Sequence, residues 1–368
     1  MFKKTGHIFK NFDWLILASA LLLALFGLAE NYSIALGQAS IDLLNFKKQV
    51  VFVVVGLFLF FGLALIDYRF WRNSRFYLYI LSVISLLAVL LAGRVINGTR
   101  GWFLIFGFGI QPVEIAKIFL LIFLSGYFSS FAVRFRGWKQ LIFSFLWCLP
   151  ILILVVLQPD FGSAVLLTAV WGVLLLVSGF PKKYFAFLAI VALLAFSFSW
   201  FFLFKDYQKD RLLTFAQVDS SVQKSSYNVR QAIIAVGGGG MHGRGLGFGS
   251  QSQLKFLPEA STDFIFAVVA EEMGFLGVSL VLLFFAILLF RLVLSASRLD
   301  NDFSIFFVLG AGGLIFIEMF INIGMNMGLL PVVGIALPFL SYGGSSVISN
   351  FFLLGIVESV IMRSKNNY

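Results

Sequence analysis

Long apolar runs recur along almost the whole chain and limit its possible folds more than any other feature. A membrane-spanning helix needs about 20 predominantly apolar residues. About ten runs approach or exceed that length: Trp14–Tyr32, Val50–Ile66, Phe76–Leu91, Pro112–Phe131, Leu141–Leu157, Phe161–Gly179, Tyr184–Phe204, Thr262–Phe290, Phe303–Met327 and Pro338–Met362. Because 60% of the residues are hydrophobic and only 12% are charged, the chain is predicted to be an integral membrane protein.

The spans are predicted to be helices rather than strands of a barrel, because short segments with strand-type alternation are absent. The segment Trp102–Gly109 is apolar but too short to span, and we expect it to lie at the membrane interface. The first run resembles a signal peptide, but no small-residue cleavage site follows it, so a retained helix is predicted. The predicted fold is one all-α membrane domain over residues 1–368, with a large extracytoplasmic loop at residues 205–261 between the seventh and eighth spans.

The short loops predict the orientation. Basic residues concentrate in loops on one side, which the positive-inside rule places in the cytoplasm; these are Arg69, Arg72, Arg75, Arg134, Arg136, Lys139, Lys182, Lys183, Arg298, Arg363 and Lys365. The short loops on the other side hold only Lys47, Lys48, Arg94 and Arg100. Both termini are then cytoplasmic, and the expected location is the cytoplasmic membrane. The long loop is basic although it lies outside, but long loops cross a membrane largely regardless of charge.

Several other classes of function are excluded by composition. The net charge of +10 is scattered over short loops, so a nucleic-acid surface is not predicted. His7 and His242 are the only histidines, which argues against a His-rich metal site. Cys148 is the only cysteine, so no disulfide within the chain is possible.

Acidic residues at the starts of three spans are the strongest candidates for chemistry. Gln111-Pro-Val-Glu114 opens the fourth span, Gln158-Pro-Asp160 the sixth and Ser261-Thr-Asp263 the eighth. Since these helices all begin on the outer side, Glu114, Asp160 and Asp263 are expected to share one membrane depth. Lys117 follows Glu114 by about one helical turn, so the two share a helix face.

Each acid also has a purely structural interpretation. An acid in a first helical turn, as predicted for Asp263, is favoured by the helix dipole alone. Glu114 and Lys117 could form a buried ion pair, although charges inside spans are costly and usually functional. Asp160 is explained about equally well by a helix start. Glu271 and Glu272, and the stripe of Glu318, Asn322 and Asn326, are interpreted mainly as interhelix hydrogen-bonding residues.

Glycines cluster in the long loop, in the run Gly237–Gly240 and at Gly243, Gly245, Gly247 and Gly249. The Lys-Ser/Thr of a P-loop and a preceding strand are both missing, so nucleotide binding is only weakly indicated. Glycines permit close backbone approach, and their exposed amides can cradle an anion. A turn-rich loop without a ligand fits the composition about as well.

Eight motifs in one order resemble the SEDS family, the RodA/FtsW/SpoVE-type peptidoglycan polymerases. They are Asn97-Gly-Thr-Arg-Gly-Trp102, Gln111-Pro-Val-Glu-Ile-Ala-Lys117, Gln158-Pro-Asp-Phe-Gly162, Tyr227-Asn-Val-Arg-Gln231, Gly243-Arg-Gly-Leu-Gly247, Phe256-Leu-Pro-Glu-Ala-Ser-Thr-Asp-Phe-Ile-Phe266, Glu271-Glu272 and Pro338-Phe-Leu-Ser-Tyr-Gly-Gly-Ser-Ser346. Leu330–Gly334 is similar to RodA-type members, whereas Arg244–Gly247 is similar to division-type members.

The resemblance implies a ten-helix glycosyltransferase that polymerises lipid II outside the cytoplasmic membrane, with a class B penicillin-binding protein as its partner. It implies catalytic roles for Asp263, Glu114 and Lys117. The expected substrate-binding residues lie in the same motifs and the intervening loop: Trp102, Asp160, Arg211, Arg230, Gln231, Arg244, Glu259 and Ser341. A divalent cation, Mg²⁺ or Mn²⁺, is a further candidate cofactor, with Glu114 as its ligand.

Two other functions stay open from the sequence. A lipid II flippase or transporter predicts a site near the middle of the membrane. A non-catalytic scaffold that recruits wall-synthesis proteins predicts no dependence on Asp263. The collection of acids at one membrane face favours the enzyme.

Overall fold

The computed structural model describes residues 11–37, 43–96, 98–105, 108–131, 137–202 and 224–364. Their helices are α1 Trp14–Leu36, α2 Leu44–Leu65, α3 Tyr68–Asn73, α4 Arg75–Ala92, α5 Pro112–Phe131, α6 Trp138–Leu157, α7 Phe161–Val177, α8 Lys182–Phe202, α9 Lys224–Gly238, α10 Ser250–Gln253, α11 Ile265–Ala296, α12 Asp302–Asn326 and α13 Gly344–Ser364. Each of the ten predicted spans corresponds to one of these helices. Within the described part, eight helices are long and apolar enough to cross a membrane, and α7 is a shorter apolar helix. The chain is a multi-pass, helical membrane protein.

A small antiparallel sheet was missed by the sequence analysis. Its strands are β1 Arg94–Ile96, β2 Thr99–Ile105 and β3 Phe108–Ile110, in the order β1-β2-β3. The Ser345 side chain of α13 fastens the sheet to the starts of two helices, since Gln111 N donates to Ser345 Oγ at 2.9 Å and Ser345 Oγ donates to Gly109 O at 3.1 Å. The described residues of the segment 102–109 are therefore strand, and they lie next to the start of the helix that carries Glu114.

The opposite end of the bundle carries its own polar network. Arg291 Nη2 of α11 contacts Asp13 Oδ2 at 2.5 Å, and Asp13 N donates to Glu358 Oε1 of α13 at 2.7 Å. Arg363 Nη1 donates to Ala64 O at the end of α2 at 3.0 Å. These contacts lie at the end where the predicted cytoplasmic loops emerge, so the two ends of the bundle are chemically distinct.

Helix α11 is broken at Gly274, which has φ 65° and ψ −160°. In a continuous α-helix the carbonyls of Glu271 and Glu272 would accept hydrogen bonds from the amides four residues later in the chain. At the break, Glu271 O instead accepts from Arg244 N at 3.0 Å and Glu272 O from Gly245 N at 2.9 Å. The break divides α11 into a short N-terminal part, residues 265–273, and a longer C-terminal part. We call them the outer and inner halves after the predicted orientation.

The glycine-rich loop, residues 239–249, fills this break. It also supplies acceptors for the freed amides, since Phe275 N donates to Gly240 O at 2.9 Å and Leu276 N to Met241 O at 3.2 Å. A Cβ on Gly243, at φ +76°, would lie 2.1 Å from Glu272 O. Because glycine has no Cβ, the loop backbone can approach the helix backbone closely. This is one of the two roles that the sequence suggested for these glycines.

Replacing Gly243 by Ala should destabilise the fold more than replacing Gly240 by Ala. Both glycines have positive φ, but an added Cβ meets nothing within 4 Å at Gly240 and a backbone oxygen at Gly243. Gly240→Ala should lower the free energy of unfolding by roughly 1–2 kcal/mol, because alanine is strained in the left-handed conformation. Gly243→Ala should lower it further, because the added Cβ also forces the loop away from the helix backbone. Thermal unfolding in detergent measures the difference, and equal losses for the two variants would contradict the insertion.

Candidate active site

A tight turn holds Asp263 just before the outer half of α11. Thr262 N and Phe264 N both donate to Glu259 O, at 3.1 and 3.2 Å, and Glu259 has φ +55°. The helix begins at Ile265, and its N-cap residue Phe264 provides no side-chain cap. The prediction that Asp263 lies in the first helical turn was therefore wrong. Asp263 lies just before the helix, because the Glu259 carbonyl holds the preceding residues in a turn.

The backbone around Asp263 is fixed by two other elements. Asn322 Nδ2 and Asn326 Nδ2 of α12 donate to Asp263 O at 3.0 and 2.9 Å. Ser341 Oγ, in the segment before α13, donates to Thr262 O at 2.6 Å. Residue Asp263 is partly exposed, and hydrogen bonds from α12 and from the segment before α13 hold its backbone.

Lys117 lies between two carboxylates from different helices. Its Nζ contacts Glu114 Oε2 at 2.6 Å within α5 and Glu318 Oε1 of α12 at 2.5 Å. Lys117 is only 4% exposed, and Glu114 also accepts from Ser349 Oγ of α13 at 2.8 Å. The spacing argument for Glu114 and Lys117 is confirmed, and the structure adds Glu318 as the partner from α12.

One face of α12 connects this ion cluster to the Asp263 turn. Glu318, Asn322 and Asn326 follow each other at about one helical turn, or ~5–6 Å along the axis. Glu318 contacts Lys117, while Asn322 and Asn326 hold the Asp263 carbonyl. The interhelix hydrogen bonding predicted for this stripe is confirmed, and it brings Asp263 within about two helical turns of the Lys117 cluster.

Asp160 joins the same end of the bundle as the N-cap of α7. Its carboxylate accepts from Ser163 N at 3.0 Å, from Ser163 Oγ at 2.8 Å and from Gln111 Nε2 at 3.2 Å. Burial raises the pKa of Asp160, the hydrogen bonds from Ser163 and Gln111 oppose the shift, and the charge of Glu114 adds to it. These contacts connect the start of α7 to that of α5 and give Asp160 a structural role as a cap.

The segment between α12 and α13 lies next to both the start of α7 and the Asp263 side chain. A Cβ on Gly162 of α7 would lie 2.5 Å from Val333 O, and a Cβ on Gly334 would lie 3.7 Å from Asp263 Oδ2. The starts of α5 and α7 and the Asp263 turn therefore converge at one end of the bundle, as the positions of the three acids predicted.

The remaining predicted substrate-binding residues occupy other surfaces of this end. Arg230 and Gln231 are partly exposed on α9, whose Ala232 and Ala235 pack against the outer half of α11. Arg244 is exposed and donates to Ser250 Oγ at 2.5 Å.

Trp102 is partly buried in β2, Glu259 is exposed, and Ser341 is buried and engaged with the backbone. Arg211 lies outside the described residues.

The residues around Glu114 do not fit a dedicated cation site. Its Oε2 is already bonded to Lys117 Nζ and Ser349 Oγ. Among the described residues, no group of three or more His, Cys, Asp or Glu side chains is arranged to hold a metal ion.

Comparison with known proteins agrees with this architecture. The FtsW/RodA/SpoVE family model, described as cell cycle protein, matches residues 13–366. The peptidoglycan glycosyltransferase MrdB of Escherichia coli (strain K12) is 34% identical over 96% of this chain and 95% of its own length. The probable peptidoglycan glycosyltransferase FtsW of Saccharophagus degradans is 36% identical over 85% of this chain and 82% of its own length.

Solved structures with the same fold cover almost the entire chain. A chain in a peptidoglycan synthase complex that coordinates polymerization and crosslinking aligns with a TM-score of 0.82 and 29% identity, covering 97% of this chain and 99% of that one. The rod shape determining protein RodA of Thermus thermophilus aligns with a TM-score of 0.71 and 29% identity, covering 96% and 97%. The chain therefore belongs to the FtsW/RodA/SpoVE family of peptidoglycan glycosyltransferases.

Proposed function

We propose that this chain polymerises lipid II into glycan strands, with Asp263 as the general base. The observation that carries the proposal is the partly exposed residue Asp263 on a backbone held by Asn322 and Asn326. A general base must be positioned within reach of the proton it removes. An acidic residue held in place in this way, just before a helix, is suited to receive the proton of a sugar hydroxyl.

The reaction follows from this placement. Asp263 takes the proton of the acceptor hydroxyl while that oxygen bonds to the anomeric carbon of the donor. The bond from the anomeric carbon to the pyrophosphate oxygen breaks, and undecaprenyl pyrophosphate leaves with inversion. Base catalysis of this type contributes about 10²–10⁴-fold to the rate.

The leaving pyrophosphate requires positive charge where its negative charge develops. Arg244 is exposed, and Arg230 is partly exposed on the neighbouring helix α9, so both are suited to a headgroup that arrives from solvent. Lys117 is buried between Glu114 and Glu318. We assign Lys117 to the positioning of α5 against α12 and the arginines to the pyrophosphate.

The proposed orientation places the Asp263 end outside the cytoplasmic membrane and both termini inside. The distribution of Arg and Lys among the short loops supports it. A polyprenyl tail could then remain in the lipid while its sugars reach Asp263 in water. A class B penicillin-binding protein is the proposed partner, because one structural relative is a chain of a complex that coordinates polymerization and crosslinking.

Purified protein supplied with fluorescent lipid II tests this function. The assay is run with and without a class B penicillin-binding protein and with and without Mg²⁺, and glycan products are resolved on a gel. A ladder of long glycan strands is expected. Transfer of lipid II between leaflets of a vesicle without any polymer would support a flippase instead, and neither product under any condition would support a scaffold.

A further inference from the structure

A buried carboxyl group outside the proposed catalytic machinery lies on α1. Glu30 is fully buried, and no hydrogen-bond donor in the described part of the structure reaches either of its carboxyl oxygens. Its neighbour is the carboxyl group of Glu272, in the outer half of α11. A buried carboxylate without a donor is very costly, so this pair requires an explanation.

Glu272, in contrast, is rich in donors. It accepts from Gly247 N, Ser252 Oγ and Gln253 Nε2, each at 3.0 Å, and from Ser33 Oγ of α1. A carboxylate with several donors is stabilised in its charged form. These donors come from the glycine-rich loop, from α10 and from α1, so Glu272 joins three segments next to the break in α11.

The two carboxyl groups differ in a way that assigns a proton. Two adjacent carboxylates in a dry interior cannot both be ionised. Glu272 has the donors that stabilise a negative charge, and within the described part of the structure none reaches Glu30. A proton on one Glu30 oxygen lets that oxygen donate to Glu272, and it removes the charge that Glu30 would otherwise bury without a donor.

We propose that Glu30 is a positioning residue that, as a neutral carboxylic acid, donates to Glu272 and so holds the glycine-rich loop in the break of α11. Its role in activity rests on the proposed function. The link to the reaction is structural, because the loop fills the gap beside the outer half of α11, and Asp263 directly precedes that half. Within the described part of the structure, no residue that we assign to the chemistry hydrogen-bonds to the Glu30 carboxyl oxygens.

Two substitutions separate hydrogen bonding from packing. Glu30→Gln keeps the size and a donor for Glu272, whereas Glu30→Met keeps an unbranched chain of similar length and removes the donor. Hydrogen bonds to charged groups are stronger than those between neutral groups, so loss of this donor in Glu30→Met should loosen the loop and lower lipid II polymerisation by about tenfold. Glu30→Gln should stay within about twofold of the wild type, given that its donor is retained.

Two readouts do not depend on activity. Hydrogen exchange at residues 247–253 should accelerate in Glu30→Met and remain slow in Glu30→Gln. Infrared difference spectra between wild type and Glu30→Gln should show the loss of one carbonyl band from a neutral carboxylic acid. The infrared measurement needs only the conservative variant, so it remains decisive if Glu30→Met does not fold.

Loss of polymerisation and of loop protection in Glu30→Gln would overturn the proposal, because an ionised carboxylate would then be required. Wild-type behaviour of Glu30→Met, or an unchanged carboxylic acid band in Glu30→Gln, would also overturn it. If the wild-type protein makes no polymer at all, the proposed function fails, while exchange and infrared spectra still decide the state of Glu30.

Discussion

Replacing Asp263 by Asn should lower the rate of lipid II polymerisation by about 10²–10⁴-fold, the usual contribution of a general base. Asn has nearly the same size but cannot take the proton of the acceptor hydroxyl. The turn should survive, because Asn322 and Asn326 hold the backbone carbonyl of residue 263 and not its side chain. The measurement is a time course of glycan formation, with thermal unfolding and lipid II binding recorded on the same preparation.

A matched control is available at the opposite end of the bundle. Asp300 is exposed between α11 and α12, and Asp300→Asn makes the same chemical change away from the Asp263 turn. We expect it to polymerise at the wild-type rate. Polymer formation by Asp263→Asn at the rate of this control would remove Asp263 from the reaction.

Replacing Lys117 by Met should both destabilise the protein and abolish polymerisation. The substitution leaves the buried Glu318 and the partly buried Glu114 without their shared cation. Removing one partner of a buried ion pair costs about 3–5 kcal/mol. The contact between α5 and α12 should then loosen, and α12 also holds the Asp263 turn.

A triple variant, with Lys117→Met, Glu114→Met and Glu318→Met together, separates charge from packing. Replacing a whole buried ion cluster by apolar residues of similar size is often neutral or stabilising. We expect the triple variant to recover most of the lost thermal stability. If Lys117→Met alone unfolds at the wild-type temperature, the buried cluster is not the structural link that we infer.

The sequence predicted the spans and the convergence of their acidic starts, because both depend on local patterns. Run length gives a spanning helix, and the alternation of sides places Glu114, Asp160 and Asp263 at one end. The contact between Glu114 and Lys117 follows from helical geometry alone.

Contacts between distant segments were not predictable in the same way. Glu318 is 201 residues from Lys117 in sequence, and only packing brings them together. The break in α11 is stabilised by hydrogen bonds between the backbone of the helix and the backbone of the glycine-rich loop. Backbone groups are the same in every residue, so the sequence pattern does not predict this pairing. The stripe formed by Glu318, Asn322 and Asn326 was the available signal, since polar side chains at helical spacing inside a span require partners.

The start of α11 and the small sheet were missed for local reasons. The Glu259 carbonyl accepts hydrogen bonds from two amides, so the helix begins only at Ile265. The Ser-Thr-Asp pattern does not predict this turn. The strands between Arg94 and Ile110 are short and bordered by glycines, so their alternation was too brief to recognise.

The side of the membrane on which Asp263 lies is the most direct test of this account. Asp263→Cys is suited to labelling with a membrane-impermeant maleimide, because the single native cysteine, Cys148, is buried. In intact cells stripped of their outer layers, Asp263→Cys should react, and Asp300→Cys should react only after permeabilisation. Labelling of Asp300→Cys in intact cells, with Asp263→Cys reactive only after permeabilisation, would contradict the account.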